Sequence, residues 1–462
     1  MSKSTKIALA TAITAVIAFL GAYLVDLNTD IGDGGTTTTT AAPSTTLVPS
    51  TTTATPTTTP PTSSTTTPAP TTTATTPILN LPRIPWEGGP DYYKQFPNAA
   101  DWANPNLFPI GTWCGAYDND AEVQYDKAHG LNFYTGCIQP ATQFGPLTRN
   151  GMYWVGNKVN DTFDPASRNW PGLFLGDEID GKGQAGLAEM QAAKDAAAGQ
   201  NKFTYTNYTD MVIGPDMPDA MQSQYVNTFA DVTSLDMYWY TTDFCGRPNY
   251  RGGLYDVPIP QGSCRTASSY GKTMEALWAK DGLDGQRKPL WQFIELLNGS
   301  GGGYFVANMT PAQVKGAAMA SVINEARGIV WFQQSFSGNC VTSQVIRATQ
   351  LRHVTCADGQ VAAMGEVNNQ IQRLASVINT QSYQWSFGSG LDTMLKAKDG
   401  SAYIFAMTEN GGTGDRTLTL PAGVNGATVE VVDENRTIPV SGGKFTDTFA
   451  AENTYRIYKV TL

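Results

Sequence analysis

Two glutamates each close an apolar run of strand-like residues. The first run is Leu173-Phe174-Leu175-Gly176-Asp177-Glu178, and the second is Leu290-Trp291-Gln292-Phe293-Ile294-Glu295. A carboxyl group can donate a proton when neutral and attack or activate water when ionised, so two of them in one cleft divide the work between acid and nucleophile. Cleavage of a glycosidic bond needs this division. The two glutamates are 117 positions apart, so only the fold can bring them together.

Short continuous apolar runs flanked by Pro and Gly read as buried strands of a parallel sheet. Eight strand-like segments alternate with helical stretches: Ile110–Trp113, Leu131–Thr135, Met152–Val155, Gly172–Gly176, Lys202–Asn207, Val232–Tyr238, Pro289–Glu295 and Gly328–Phe332. Helical spacing fills Asn119–His129, Asp219–Phe229 and Ser268–Lys280, and Gln184–Ala198 is Ala-rich. Thr310-Pro311 supplies a cap and a first-turn proline for a helix to about Ala326. Met364–Ile378 is a closing helix. The pattern predicts an α/β fold, a (β/α)8 barrel over 78–380, with the active site at the carboxyl ends of its strands. No Gly-rich phosphate loop follows any strand, which disfavours a doubly wound sheet. After Thr380 the period changes. Ala402–Met407, Thr417–Leu420, Ala427–Val432 and Asn453–Val460 are short strands between Gly-rich turns, predicting a small all-β sandwich over 381–462.

Leu175-Gly176-Asp177-Glu178 after strand four, Trp291 to Glu295 on strand seven and Trp331 in strand eight resemble the clan A retaining glycoside hydrolases. The resemblance covers the barrel and, loosely, the β-domain. It implies Glu178 as general acid/base and Glu295 as nucleophile. Tyr238 and Tyr240 stand where that clan carries a tyrosine beside its nucleophile, and Trp331 would floor the sugar subsite. Trp113, Tyr134, Trp154, Tyr205, Asn207 and Trp239 could line the rest. One departure is Asp177, where the clan has an asparagine for the sugar 2-hydroxyl; an aspartate can still accept that bond but adds a negative charge beside Glu178. Asp180, Asp236 and Asp243 also lie near strand ends, so a mechanism on aspartates of strands four and six is the competitor.

The 462 residues carry a net charge of −10 without a Lys/Arg cluster, which argues against nucleic acid or an anionic surface as partner. A neutral polysaccharide fits, and Trp, Tyr and Phe reach 10%. Lys3 and Lys6 precede the uncharged run Ile7–Val25, 19 residues long. This length predicts a signal anchor or transmembrane segment over 1–29, with a cleaved signal as the alternative; both export the rest, to the outer membrane face or into the medium. Between Thr36 and Pro77, 35 of 42 residues are Thr, Pro or Ser, so 30–77 is expected to be a disordered spacer. Six cysteines allow 15 connectivities; sequential pairing, Cys114–Cys137, Cys245–Cys264 and Cys340–Cys356, is expected. With no CxxC and only two His, His129 and His353, neither a metal nor a cofactor is expected. A monomer is expected. The alternative to a hydrolase is a non-catalytic carbohydrate-binding or adhesion protein on a degenerate barrel.

Overall fold

The structure, a computed structural model, describes residues 79–247, 251–297, 305–336, 338 and 340–462. The expected anchor and spacer lie outside the described residues. No helix among the described residues is long and apolar enough to cross a membrane.

Eight parallel strands close into a barrel. They are β1 (Ile110–Trp113), β2 (Phe133–Thr135), β3 (Tyr153–Val155), β4 (Gly172–Asp177), β5 (Phe203–Tyr208), β6 (Val232–Leu235), β7 (Leu290–Glu295) and β8 (Gly328–Phe332), with β1 pairing β8. Helices α1 (Asp120–Ala128), α2 (Gly145–Asn150), α3 (Gln184–Ala197), α4 (Asp219–Thr228), α5 (Ser268–Asp281) and α6 (Pro311–Ile323) lie between successive strands. The connection from β3 to β4 is a loop. After β8 come α7 (Val345–Gln350) and α8 (Asp358–Ile378). The helix starts follow local chemistry: Asn119 accepts the Glu122 amide at α1, and Thr310 with Gln313 forms a capping box at α6.

Alternation along each strand divides the core. Phe133, Val155, Phe203, Tyr205, Val232, Trp291, Phe293, Val330 and Phe332 fill the lumen. Ile110, Tyr134, Trp154, Leu173, Leu235, Ile294, Ile329 and Trp331 face the helices. Two 3-10 turns, Gly89–Gln95 and Pro97–Ala103, close the amino-terminal end of the lumen, with Trp102 against Phe133, Phe203 and Trp291. With that end filled, the opposite mouth is the open one.

The carboxyl-terminal part holds eight antiparallel strands rather than the four read from sequence. They are β9 (Ser382–Tyr383), β10 (Leu391–Lys398), β11 (Ser401–Thr408), β12 (Gly414–Thr419), β13 (Thr428–Val431), β14 (Arg436–Pro439), β15 (Lys444–Phe449) and β16 (Tyr455–Thr461). Six form one sheet in the order β14-β13-β16-β11-β10-β9, and β12 pairs with β15. The stretch 79–84, grouped with the barrel by sequence, packs here instead: Leu79 joins the sheet core and Ile84 donates its amide to Ser382. All three disulfides pair sequentially, as expected.

Candidate active site

Strand alternation decides what β7 delivers. Trp291 and Phe293 point into the lumen, Leu290 and Ile294 point out, and Glu295 follows on the lumen side at the strand's end. Its side chain is fully buried. One oxygen, Oε1, accepts the Tyr270 hydroxyl at 2.5 Å, the Tyr240 backbone amide at 3.3 Å and, at 3.5 Å, the Thr241 hydroxyl. The other, Oε2, has no hydrogen-bond partner among the described residues. Burial pushes the Glu295 carboxyl up to about 7, and the bonds from Tyr270, Tyr240 and Thr241 resist that push.

At the end of β4 the backbone departs from strand geometry. The register against β5 shifts between Phe174 and Gly176, and Glu178 adopts a left-handed conformation (φ 51°, ψ 29°) before the 3-10 turn Ile179–Lys182. Its amide still bonds to Asn207 O at 3.0 Å, so the residue is held rather than loose. Burial raises the Glu178 carboxyl to about 7, helped by the Asp177 charge, while a hydrogen bond with Asp236 works the other way. Asp236, one residue beyond β6, is raised well above the carboxylate range by burial and by the Glu178 and Asp177 charges. Asp177 itself opens to solvent, yet protein surrounds it closely enough to push it up to about 6. Solvent access combined with crowding describes a recess.

A chain of hydrogen bonds across three strands fixes Asp177. Asn207 Nδ2 donates to Asp177 Oδ1 at 3.0 Å, Ser234 Oγ donates to Asn207 Oδ1 at 2.7 Å, and the Tyr205 hydroxyl meets Ser234 Oγ at 2.8 Å. Tyr238 donates to Asp236 at 3.4 Å. Burial, and then the charges of Asp236, Glu178, Asp177 and Glu295, raise the Tyr238 phenol. Asp180 is engaged elsewhere, accepting the Thr209 hydroxyl at 2.6 Å, and Asp243 pairs with Arg247.

The aromatic expectations divide by strand face. Trp113 ends β1 on the lumen side, half-buried, edge-on to Phe174 and Phe293 at centroid distances of 5.5 and 5.6 Å. Trp331 does not floor a subsite. Its ring faces outward and Nε1 donates to Asn368 of α8 at 3.0 Å. Trp154 is likewise outward, bonded to Asn157 O, as are Tyr134, bonded to Asp126, and Trp239, bonded to Thr273. The reason is register: Phe332, not Trp331, pairs with Glu295 and shares its face. Phe332 packs tilted against Tyr238 at 5.0 Å, and Phe305 and Phe336 extend this aromatic wall outward. Tyr240 reaches Glu295 through its backbone, while its hydroxyl points away to Glu452.

Sequence reasoning missed Tyr270, which sits in the first turn of α5, away from any strand end. It also missed Asp236 as the partner of Glu178. No group of three His, Cys, Asp or Glu side chains among the described residues is arranged to hold a metal ion. The arrangement offers two carboxyls, Glu178 and Glu295, each raised to about 7, an oxygen of Glu295 without a partner among the described residues, and an aromatic wall beside them.

Comparison with sequence families gives no match, and comparison with curated proteins gives none. Among solved structures, the chain is similar to a glycoside hydrolase at 13% identity, covering 77% of this chain and 92% of that one, with a TM-score of 0.47. It is also similar to a GH30 endoxylanase from Clostridium papyrosolvens (11% identity, 77% and 97% covered, TM-score 0.41) and to a family 5 glycoside hydrolase from Bacteroides vulgatus (12%, 77% and 89%, 0.45). Likeness at this level carries no argument about activity, which must come from the site itself.

Proposed function

We propose that this chain is a retaining glycoside hydrolase acting on a polysaccharide, such as a cell-wall galactan, arabinan or other β-glycan. The observation that carries the reading is the asymmetry of Glu295: Oε1 is gripped by three donors, while Oε2 is buried and unpartnered among the described residues. A carboxylate fixed on one oxygen presents the other for attack with little freedom left to lose. In the first step Glu295 Oε2 bonds to the anomeric carbon as the glycosidic C–O bond breaks, and Glu178 gives its proton to the departing oxygen. In the second step Glu178 takes a proton from water, the water oxygen bonds to the anomeric carbon, and Glu295 leaves as carboxylate. Asp177, fixed by Asn207, would accept a sugar hydroxyl, and Trp113 with the Phe332–Tyr238 wall would hold the ring.

Three disulfides suit an oxidising compartment, in line with export by the amino-terminal segment. The test is incubation with a panel of polysaccharides, following product anomers by NMR, alongside E295Q. Retained configuration in wild type and loss of turnover in a folded E295Q support the reading; full activity in E295Q overturns it. The contact of Asp236 at the end of strand six with Glu178 at the end of strand four favours one rival, in which carboxyls of these two strands do the work without Glu295. In that case D236N would abolish turnover and E295Q would not.

A further inference from the structure

The β-sheet part of the chain reaches the site through one side chain. Glu452 lies in the loop between β15 and β16, and both of its oxygens accept the Tyr240 hydroxyl at 2.9 Å. Oε2 also accepts the backbone amide of Ala267 at 2.9 Å. Ala267 precedes α5 and has no side-chain cap of its own. A carboxylate at this end of a 14-residue helix meets the positive end of the dipole.

Both of the firmer contacts to Glu295 Oε1 come from the two pieces that Glu452 holds. The Tyr240 amide is one. The Tyr270 hydroxyl, in the first turn of α5, is the other, and the two tyrosine rings pack on each other at 5.4 Å. The carbonyls of Tyr240 and Thr242 are held by Arg265, one residue from Cys264, which is disulfide-bonded to Cys245. The neighbouring loop of the sheets adds a second tie, Asn410 N to Ser268 Oγ at 3.1 Å.

We infer that Glu452 is a positioning residue, supplied by the β-sheet part, that sets the donor cradle of Glu295 by tying the Tyr240 hydroxyl to the start of α5. This role rests on Glu295 being the nucleophile, but its geometric content can be read without turnover. The clamp works because a cradle of three donors is useful only if their mutual spacing is fixed, and two of them belong to separate elements. A single carboxylate bound to both elements removes that freedom. It also gives the sheets a part in the chemistry rather than a separate sugar-binding role.

The experiment uses the full chain with its glutamate carboxyls carbon-13 labelled, the Glu295 signal being identified by its loss in E295Q. The titratable groups around Glu295 are Tyr238 and Tyr240 after β6 and Tyr270 of α5. Across Tyr238 stand Asp177, Glu178 and Asp236, and Glu452 stands behind Tyr240. E452A and E452Q lose the same charge, but only the glutamine keeps an acceptor for Tyr240. The clamp requires Glu295 to titrate higher in E452A than in E452Q, and higher in Y240F than in wild type, by roughly half a unit or more. It also requires kcat to fall about tenfold in E452A and Y240F with KM little changed, and to recover in E452Q. As a control, R373A breaks the exposed Arg373–Asp433 pair between α8 and the sheets and leaves both readouts unmoved. Identical titration of Glu295 in folded E452A, E452Q, Y240F and wild type overturns the clamp. A wild type that cleaves nothing in the panel overturns the hydrolase reading instead, and the titration still decides the clamp.

Discussion

A carboxylate cut off from water keeps its charge only as far as its donors allow. Glu295 shows the balance, with burial raising it to about 7 and three hydrogen bonds pulling against burial. The Tyr270 bond, at 2.5 Å, is the shortest of them. A hydrogen bond to a charged group contributes about 1.5–3 kcal/mol, so Y270F should lower kcat/KM about tenfold or more. The sign of the pH effect follows directly. Removing a donor to the ionised form raises the carboxyl further, so the acid limb of the kcat/KM profile should move to higher pH in Y270F. An unmoved limb would take Glu295 out of the profile. These partners were only half legible in sequence. A glutamate closing an apolar run announces itself, whereas Tyr270 is one aromatic among many on a helix, and its role exists only once α5 docks beside β7.

At the scale of elements, the barrel strands and most helices were legible because their boundaries carry Gly, Pro and capping residues. The facing of each strand was not. In an antiparallel sheet with one wet face, polar and apolar residues alternate and reveal which side is which. In β8 both faces are dry: Ile329 and Trp331 pack on helices while Val330 and Phe332 fill the lumen, and all four are apolar. The sequence GIVWF therefore offers no cue to which of its two aromatics faces the lumen. Two substitutions check the corrected facing. W113A should raise KM several-fold and also lower Tm, since its half-buried ring lies on the open side and packs against Phe174 and Phe293. W331F should leave KM alone and lower Tm, because it removes a buried bond to Asn368 worth about 1 kcal/mol. Steady-state kinetics and thermal melts on the two variants decide it; a KM rise confined to W331F would restore the sequence-based placement.

For the whole molecule, raised carboxyls extend well beyond the mouth. Asp126 and Asp281 are pushed up to about 6, and Glu178, Asp180, Glu295 and Asp392 to about 7, burial being the first cause in each. Asp236 is also raised, by burial first, while Asp177, open to solvent, adds little. In the unfolded chain these groups return to the usual range near 4. Between about pH 4 and about pH 7 the folded state therefore holds protons that the unfolded state has released, and stability falls as pH rises through that window. Lys396, pushed down to about 7 by burial, acts with the opposite slope and only above that pH. The expected outcome is a Tm several degrees higher at pH 5 than at pH 7, measured by calorimetry at constant ionic strength. A flat or rising Tm over that interval would mean these carboxyls are ionised in the fold.

The left-handed backbone at Glu178 has a further consequence. For a residue with a Cβ, that conformation costs about 1–2 kcal/mol, and here the side chain adds the repulsion of Asp177. Glycine would stand there with neither burden. On the proposed mechanism, that strain is what placing a proton donor at this bend requires.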